Sequence, residues 1–169
     1  MKFGVSWMLA ALLLAAGCGS QQDSGVVQRE GQPDYVRSFD EQAMEKAIHD
    51  ARSSWQQFSR ALMNPSDRMS GFSIKRGFRV GDDPEAEHIW LTDVSFDGSR
   101  FTGRINNEPV DTREVKFGDI VEVAPEQLSD WMYIENGVLR GGFTIRVLVK
   151  QRTPEEQAQF FERAGFRIE

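Results

Sequence analysis

Between His88 and Lys150 the chain alternates apolar and polar residues in short runs separated by turn pairs, and that pattern restricts the fold more than anything else in it. Successive side chains of a strand point to opposite faces, so each run buries one face of a sheet. In His88–Phe96, Trp90, Thr92, Val94 and Phe96 share one side, with Ile89, Leu91 and Asp93 on the other. Asp97-Gly98 predicts a hairpin turn, and Arg100–Asn106 returns with Phe101 and Ile105 on one face. Ile120–Val123 reads as a short strand after the turn at Gly118-Asp119. Leu128–Glu135 and Val138–Arg140 form a second hairpin about Asn136-Gly137. Upstream, Phe72, Ile74, Phe78 and Val80 alternate as another strand, bulged near Gly77, before an acidic loop over Gly81–Glu87. Phe143, Ile145, Val147 and Val149 also alternate; Ile145, Leu148 and Val149 fit a helical stripe too, but the β-branched content favours a strand over 143–150.

Helices flank this sheet. Ser38 and Glu41 make a capping-box pattern for a helix over Ser38–Met63, whose apolar face carries Met44, Ala47, Ile48, Ala51, Trp55, Phe58 and Leu62; Asn64-Pro65 stops it. Thr153-Pro154-Glu155-Glu156 starts a short C-terminal helix that Gly165 ends, with Phe160 or Phe161 placed to dock on the sheet. The expected fold is α+β: an N-terminal amphipathic helix, about five to seven antiparallel strands, open or barrel-like, and a short C-terminal helix.

The first 17 residues read as an address. Lys2 precedes an apolar run from Trp7 to Ala16, then Leu14-Ala15-Ala16-Gly17-Cys18 resembles the lipobox of bacterial lipoproteins. The run is shorter than the ~20 apolar residues a spanning helix needs. The expectation is a signal peptide over 1–17, a Cys18 that carries diacylglyceryl and palmitate-type acyl chains, and a flexible tether over 18–37. Ala15 stands where Leu is commoner in that motif. Removing Lys2 would take the net charge from −6 to −7. Such a protein sits on the bacterial cell membrane, facing the periplasm or the exterior. Gly19 after the cysteine favours the outer membrane in a Gram-negative host. A single domain over 38–169 follows.

Several stretches resemble, in order, the bacterial domain of unknown function 2314, the YegJ-like family. They are Phe72-Ser73-Ile74-Lys75, Glu87-His88-Ile89-Trp90-Leu91, Phe101 to Pro109, Lys116-Phe117-Gly118-Asp119, Asp130-Trp131-Met132-Tyr133 and Gly141 to Arg146. The resemblance covers roughly Glu41 to Ile168. It implies a domain boundary and a bacterial origin, and brings no reaction, substrate or catalytic residue.

The net charge of −6 argues against nucleic acid and against adhesion to anionic lipid, both of which need a surplus of Lys and Arg. With Cys18 as the sole cysteine, no internal disulfide can form. Two distant histidines make no metal-ligand pattern, and His49 reads as a helix-surface residue. Glu87 and His88 project to opposite sides of a strand. No nucleophile elbow or phosphate-cradling Gly-rich loop occurs, and no cofactor is implied. The residues with recognition character are Lys75, His88, Trp90, Asp130, Trp131, Tyr133 and Arg146, because Trp, Tyr and Arg dominate binding hot spots. The plainer expectation is that Trp90 and Trp131 are core and that Asp130 pairs with Arg146. Two functions follow. One is a lipid-anchored envelope module that binds a protein or peptide. The other is an envelope hydrolase using His88 with a nearby carboxylate.

Overall fold

A computed structural model of the chain describes residues 26–27, 35–36 and 40–169, with 26–27, 35–36 and 83–85 described by backbone alone. Cys18, the signal segment and Ser38 lie outside the described residues. Within the stretch read as a tether, β1 (Val26–Val27) pairs antiparallel with β2 (Tyr35–Val36).

The main sheet is antiparallel and open, not a barrel. Its strands are β3 (Met69–Val80), β4 (Asp83–Phe96), β5 (Phe101–Ile105), β6 (Ile120–Val123), β7 (Leu128–Glu135) and β8 (Val138–Gly141), in the order β6-β5-β4-β3-β7-β8. At the β8 edge the chain end adds one bridge: Leu139 N–H donates to Arg167 O, and Arg167 N–H to Gly137 O.

One face of the sheet is covered by α1 (Glu41–Ser53) and α2 (Trp55–Met63). The expected single helix is therefore two. Ser54 turns its hydroxyl back onto Asp50 O at 2.7 Å and Ala51 O at 3.3 Å, and its own N–H bonds Ala51 O instead of continuing the ladder. The first helix starts at Glu41, where the Asp40 side chain accepts from Ala43 N–H at 2.9 Å, in place of the Ser38 cap. The break lets the apolar face follow the twisted sheet. Ala51, Phe58, Ile74, Ile89, Leu91, Phe101, Ile105, Leu128 and Trp131 are buried together, with Trp55 and Phe72 packed against them.

Three further expectations change. A bulge between Thr92 and Ser95, with Asp93 at φ 52°, switches the sides of β4. Val94 and Phe96 therefore pack on the core with Ile89 and Leu91, although alternation put them beside Trp90. The stretch 143–150 is not a strand: Phe143–Lys150 is α3. The reason lies outside that stretch. Gly141 and Gly142 both take left-handed backbone, φ 69° and 62°, which ends β8 and turns the chain into a helix. The C-terminal helix α4 (Pro154–Ala164) has the expected Thr153–Glu156 capping box and left-handed Gly165. Its Phe160 packs edge-on to Phe161 and Phe166, with the Arg152 guanidinium 5.7 Å from its ring.

Candidate functional site

The seven residues singled out divide between the two faces of the sheet. Ile74, Leu91 and Trp131 share a register level and face the helices. Lys75, Trp90 and Asp130 form the next level and face the other way, so four of the seven (Lys75, His88, Trp90, Asp130) come together on the outer face.

Trp131 and Tyr133 belong to the core. The Trp131 indole N–H donates to Ala51 O at 3.0 Å, taking a carbonyl exposed by the break between α1 and α2. Tyr133 stacks on Phe72 at 5.1 Å and lies nearly parallel to Trp131 at 6.3 Å. Arg146 is a clamp rather than a partner of Asp130. It donates to Gly141 O at 3.0 Å, Leu139 O at 2.9 Å and Glu169 O at 3.1 Å, tying α3 to the β8 edge and the chain end.

Asp130 is fully buried and explains why α3 is a helix. Gly142, at the cap position, has no side chain, and the Asp130 carboxylate fills that role from across the sheet. It accepts from Phe143 N–H at 3.1 Å, Thr144 N–H at 2.8 Å and Thr144 Oγ1 at 2.6 Å, and from its neighbour Trp131 N–H at 2.8 Å. A carboxylate at a helix N-terminus also meets the positive end of the helix dipole. Burial pushes its carboxyl pKa up, while the Thr144 hydroxyl and the Lys75 charge pull it back.

Lys75 lies beside this cap. Its Nζ donates to Thr144 Oγ1 at 3.3 Å and stands 5.5 Å from the centre of the Trp90 ring. Burial lowers its pKa from the ordinary lysine value, and Asp130 partly restores it. His88 sits opposite Gly77, where a side chain at 77 would meet the imidazole Cε1 at 3.1 Å. The ring is exposed, yet its pKa falls from 6.5 to about 4, through burial first and then the charges of Lys75 and Arg52. At neutral pH it is an uncharged imidazole among cations. Arg52 reaches the same end of β7 and donates from Nε to Leu128 O at 2.6 Å.

The hydrolase expectation needed a carboxylate beside His88. Among the described side chains the candidates are engaged elsewhere: Asp130 by four donors, and Asp93 by Arg104 at 3.0 Å. Glu87 projects to the opposite side, as its place in the strand required. It is buried and accepts from Val110 N–H at 2.8 Å, Asp111 N–H at 2.9 Å and Thr112 N–H at 2.9 Å, pinning the connection from β5 to β6. Sequence reasoning assigned Glu87 no role; a glutamate two residues before Ile89 on the core face of the strand was the only signal. Among the described residues no three His, Cys, Asp or Glu converge as metal ligands. No described helix is long and apolar enough to cross a membrane.

The family model for an uncharacterized protein conserved in bacteria, DUF2314, matches residues 41–168. The chain belongs to the DUF2314 family. Uncharacterized protein YegJ of Escherichia coli is 36% identical over 118 residues, 70% of this chain and 74% of that protein. A putative ankyrin repeat protein of Neisseria meningitidis is 36% identical over 131 residues, 74% of this chain and 51% of that protein, so the match spans about half its length. No solved structure matches. The DUF2314 match starts with α1 and ends at the residue after Arg167, which pairs with the β8 edge, so it takes in the whole main sheet and all four helices.

Proposed function

We propose that this DUF2314 protein is a membrane-tethered binding module of the bacterial cell envelope. It is anchored through acylated Cys18 and captures an envelope protein or peptide on the outer face of its sheet. The observation that carries the reading is the grouping of Lys75, His88 and Trp90 on that face, with the rigid core behind it. An aromatic ring flanked by a cation and an uncharged imidazole is the composition of a binding hot spot. The lipobox-like Leu14–Cys18 after an apolar run supports the anchor. The Neisseria relative is named for ankyrin repeats, an architecture built around binding surfaces. In-cell crosslinking and pull-down of tagged full-length protein tests the reading, with Trp90→Ala and Lys75→Met as variants that spare the core. A discrete partner lost in both folded variants is expected. Equal capture by wild type and variants sinks the assignment of the face. Radiolabelled palmitate incorporation abolished by Cys18→Ser is expected of the anchor; an unlabelled wild type refutes it.

A further inference from the structure

The outer face holds donors without acceptors. A lysine ammonium has three N–H donors, and among the described residues Lys75 Nζ has one hydrogen bond, to the Thr144 hydroxyl. That hydroxyl already donates to Asp130, whose carboxylate is filled by four bonds. Lys75 therefore has no ion pair of its own in a half-buried position, where charges are ordinarily paired. Beside it in the register β7 has a bulge: Asp130 pairs with Lys75 and Leu128 with Arg76, leaving Ser129 as the extra residue. The Ser129 hydroxyl is buried and has no hydrogen-bond partner. A buried orphan hydroxyl costs about 1–3 kcal/mol and calls for a reason. His88 presents an exposed imbalance of the same sign, its ring lying over Gly77 in the field of Lys75 and Arg52. The chain as a whole is acidic, so this concentration of positive charge does not follow from its composition.

We propose that Lys75, Ser129 and His88, with the Trp90 ring as an apolar platform, form a receptor for the carboxylate of a small organic acid or of a peptide end. The proposal rests on the binding-module reading and adds the ligand's chemistry. One carboxylate oxygen accepts from Lys75 and supplies the missing counter-charge. The other accepts from Ser129 or from an N–H of His88. The carbon skeleton lies against Trp90. The Trp90 platform favours an organic carboxylate over inorganic phosphate, which has no apolar part to bury.

The test is a titration of the uniformly ¹⁵N-labelled full chain in detergent, followed by amide and indole N–H signals. N-acetylalanine is compared with inorganic phosphate at matched ionic strength. Saturable shifts at the Trp90 indole and the Gly77 and His88 amides are expected with N-acetylalanine, with at least tenfold weaker binding in Lys75→Met and in Ser129→Ala. Both variants remove a poorly partnered polar group, so both stay folded. Shifts that do not saturate, or that persist unchanged in both variants, overturn the proposal. Phosphate binding as tightly as N-acetylalanine overturns the carboxylate class. A protein partner captured through Trp90, with no response to N-acetylalanine, removes this proposal and leaves the binding module standing.

Discussion

Replacing Gly141 by alanine tests the linkage between the β8 turn, Trp131 and α3. Gly141 has φ 69°, and a Cβ there would run into the Trp131 carbonyl oxygen and ring, with Cζ3 at 2.6 Å. Two costs add. Holding an L-residue in left-handed backbone costs about 1–2 kcal/mol, and forcing a methyl into a packed core costs about 1–3 kcal/mol. Gly141→Ala should therefore lose roughly 2–5 kcal/mol, a large part of the 5–15 kcal/mol that holds a typical domain together. At about 4 °C per kcal/mol this lowers Tm by roughly 8–20 °C. Gly137→Ala is the control, since Gly137 has φ 76° but nothing within 4 Å of a new Cβ, leaving the backbone cost alone. Urea unfolding of both variants, read by tryptophan fluorescence, separates the two costs. If the two unfold within about 0.5 kcal/mol of each other, well inside the clash cost, Trp131 yields freely and the tight packing at this corner is refuted.

Asp130→Ala strips α3 of its remote cap and Lys75 of its nearest carboxylate; a loss of about 3 kcal/mol in urea unfolding is expected, and an unchanged midpoint would contradict the capping role. Glu87→Gln removes the charge that gathers three backbone N–H groups, so hydrogen exchange at Val110, Asp111 and Thr112 should accelerate by tenfold or more while the core amides stay protected. For His88, a native pKa near 4 against 6.5 means that the unfolded chain takes the proton first between those values. Stability should fall as the pH drops from about 6.5 to about 4, by about 1 kcal/mol given the exposure of the ring, and His88→Asn should flatten that slope. An NMR titration of the His88 Cε1 proton at the ordinary histidine value would end this reasoning.

The strands with strict alternation and good turn pairs were legible. Leu128–Glu135 has the bounds its pattern indicated, because Asn136 and Gly137 supply the two positive φ angles that a tight hairpin needs. The C-terminal helix was equally plain, since its cap, proline and stop glycine all act within a few residues. The failures share one cause. Val94 and Phe96 changed sides through a bulge that has no composition of its own. The helix over 143–150 depends on an aspartate 13 residues upstream of Phe143. The break at Ser54 serves a tryptophan 80 residues from Ala51.

The same division runs through the candidate site. Residue types were readable: Trp, Tyr, Lys, Asp and Arg in a strand-rich domain suggested recognition, and alternation correctly separated Glu87 from His88. Alternation also put Asp130 and Trp131 on opposite faces, but nothing local said which face the helices would cover. That choice made Trp131 and Tyr133 core, Asp130 a helix cap, and Lys75, His88 and Trp90 the surface that remains. By itself the sequence determined the strands, the caps, the absence of disulfides and the family, because each depends on residues close in the chain or on their simple count. Only the tertiary structure decided which polar groups are satisfied and which are left unpaired, because a hydrogen-bond partner is fixed by distance in space, and a folded chain sets that distance independently of separation along it.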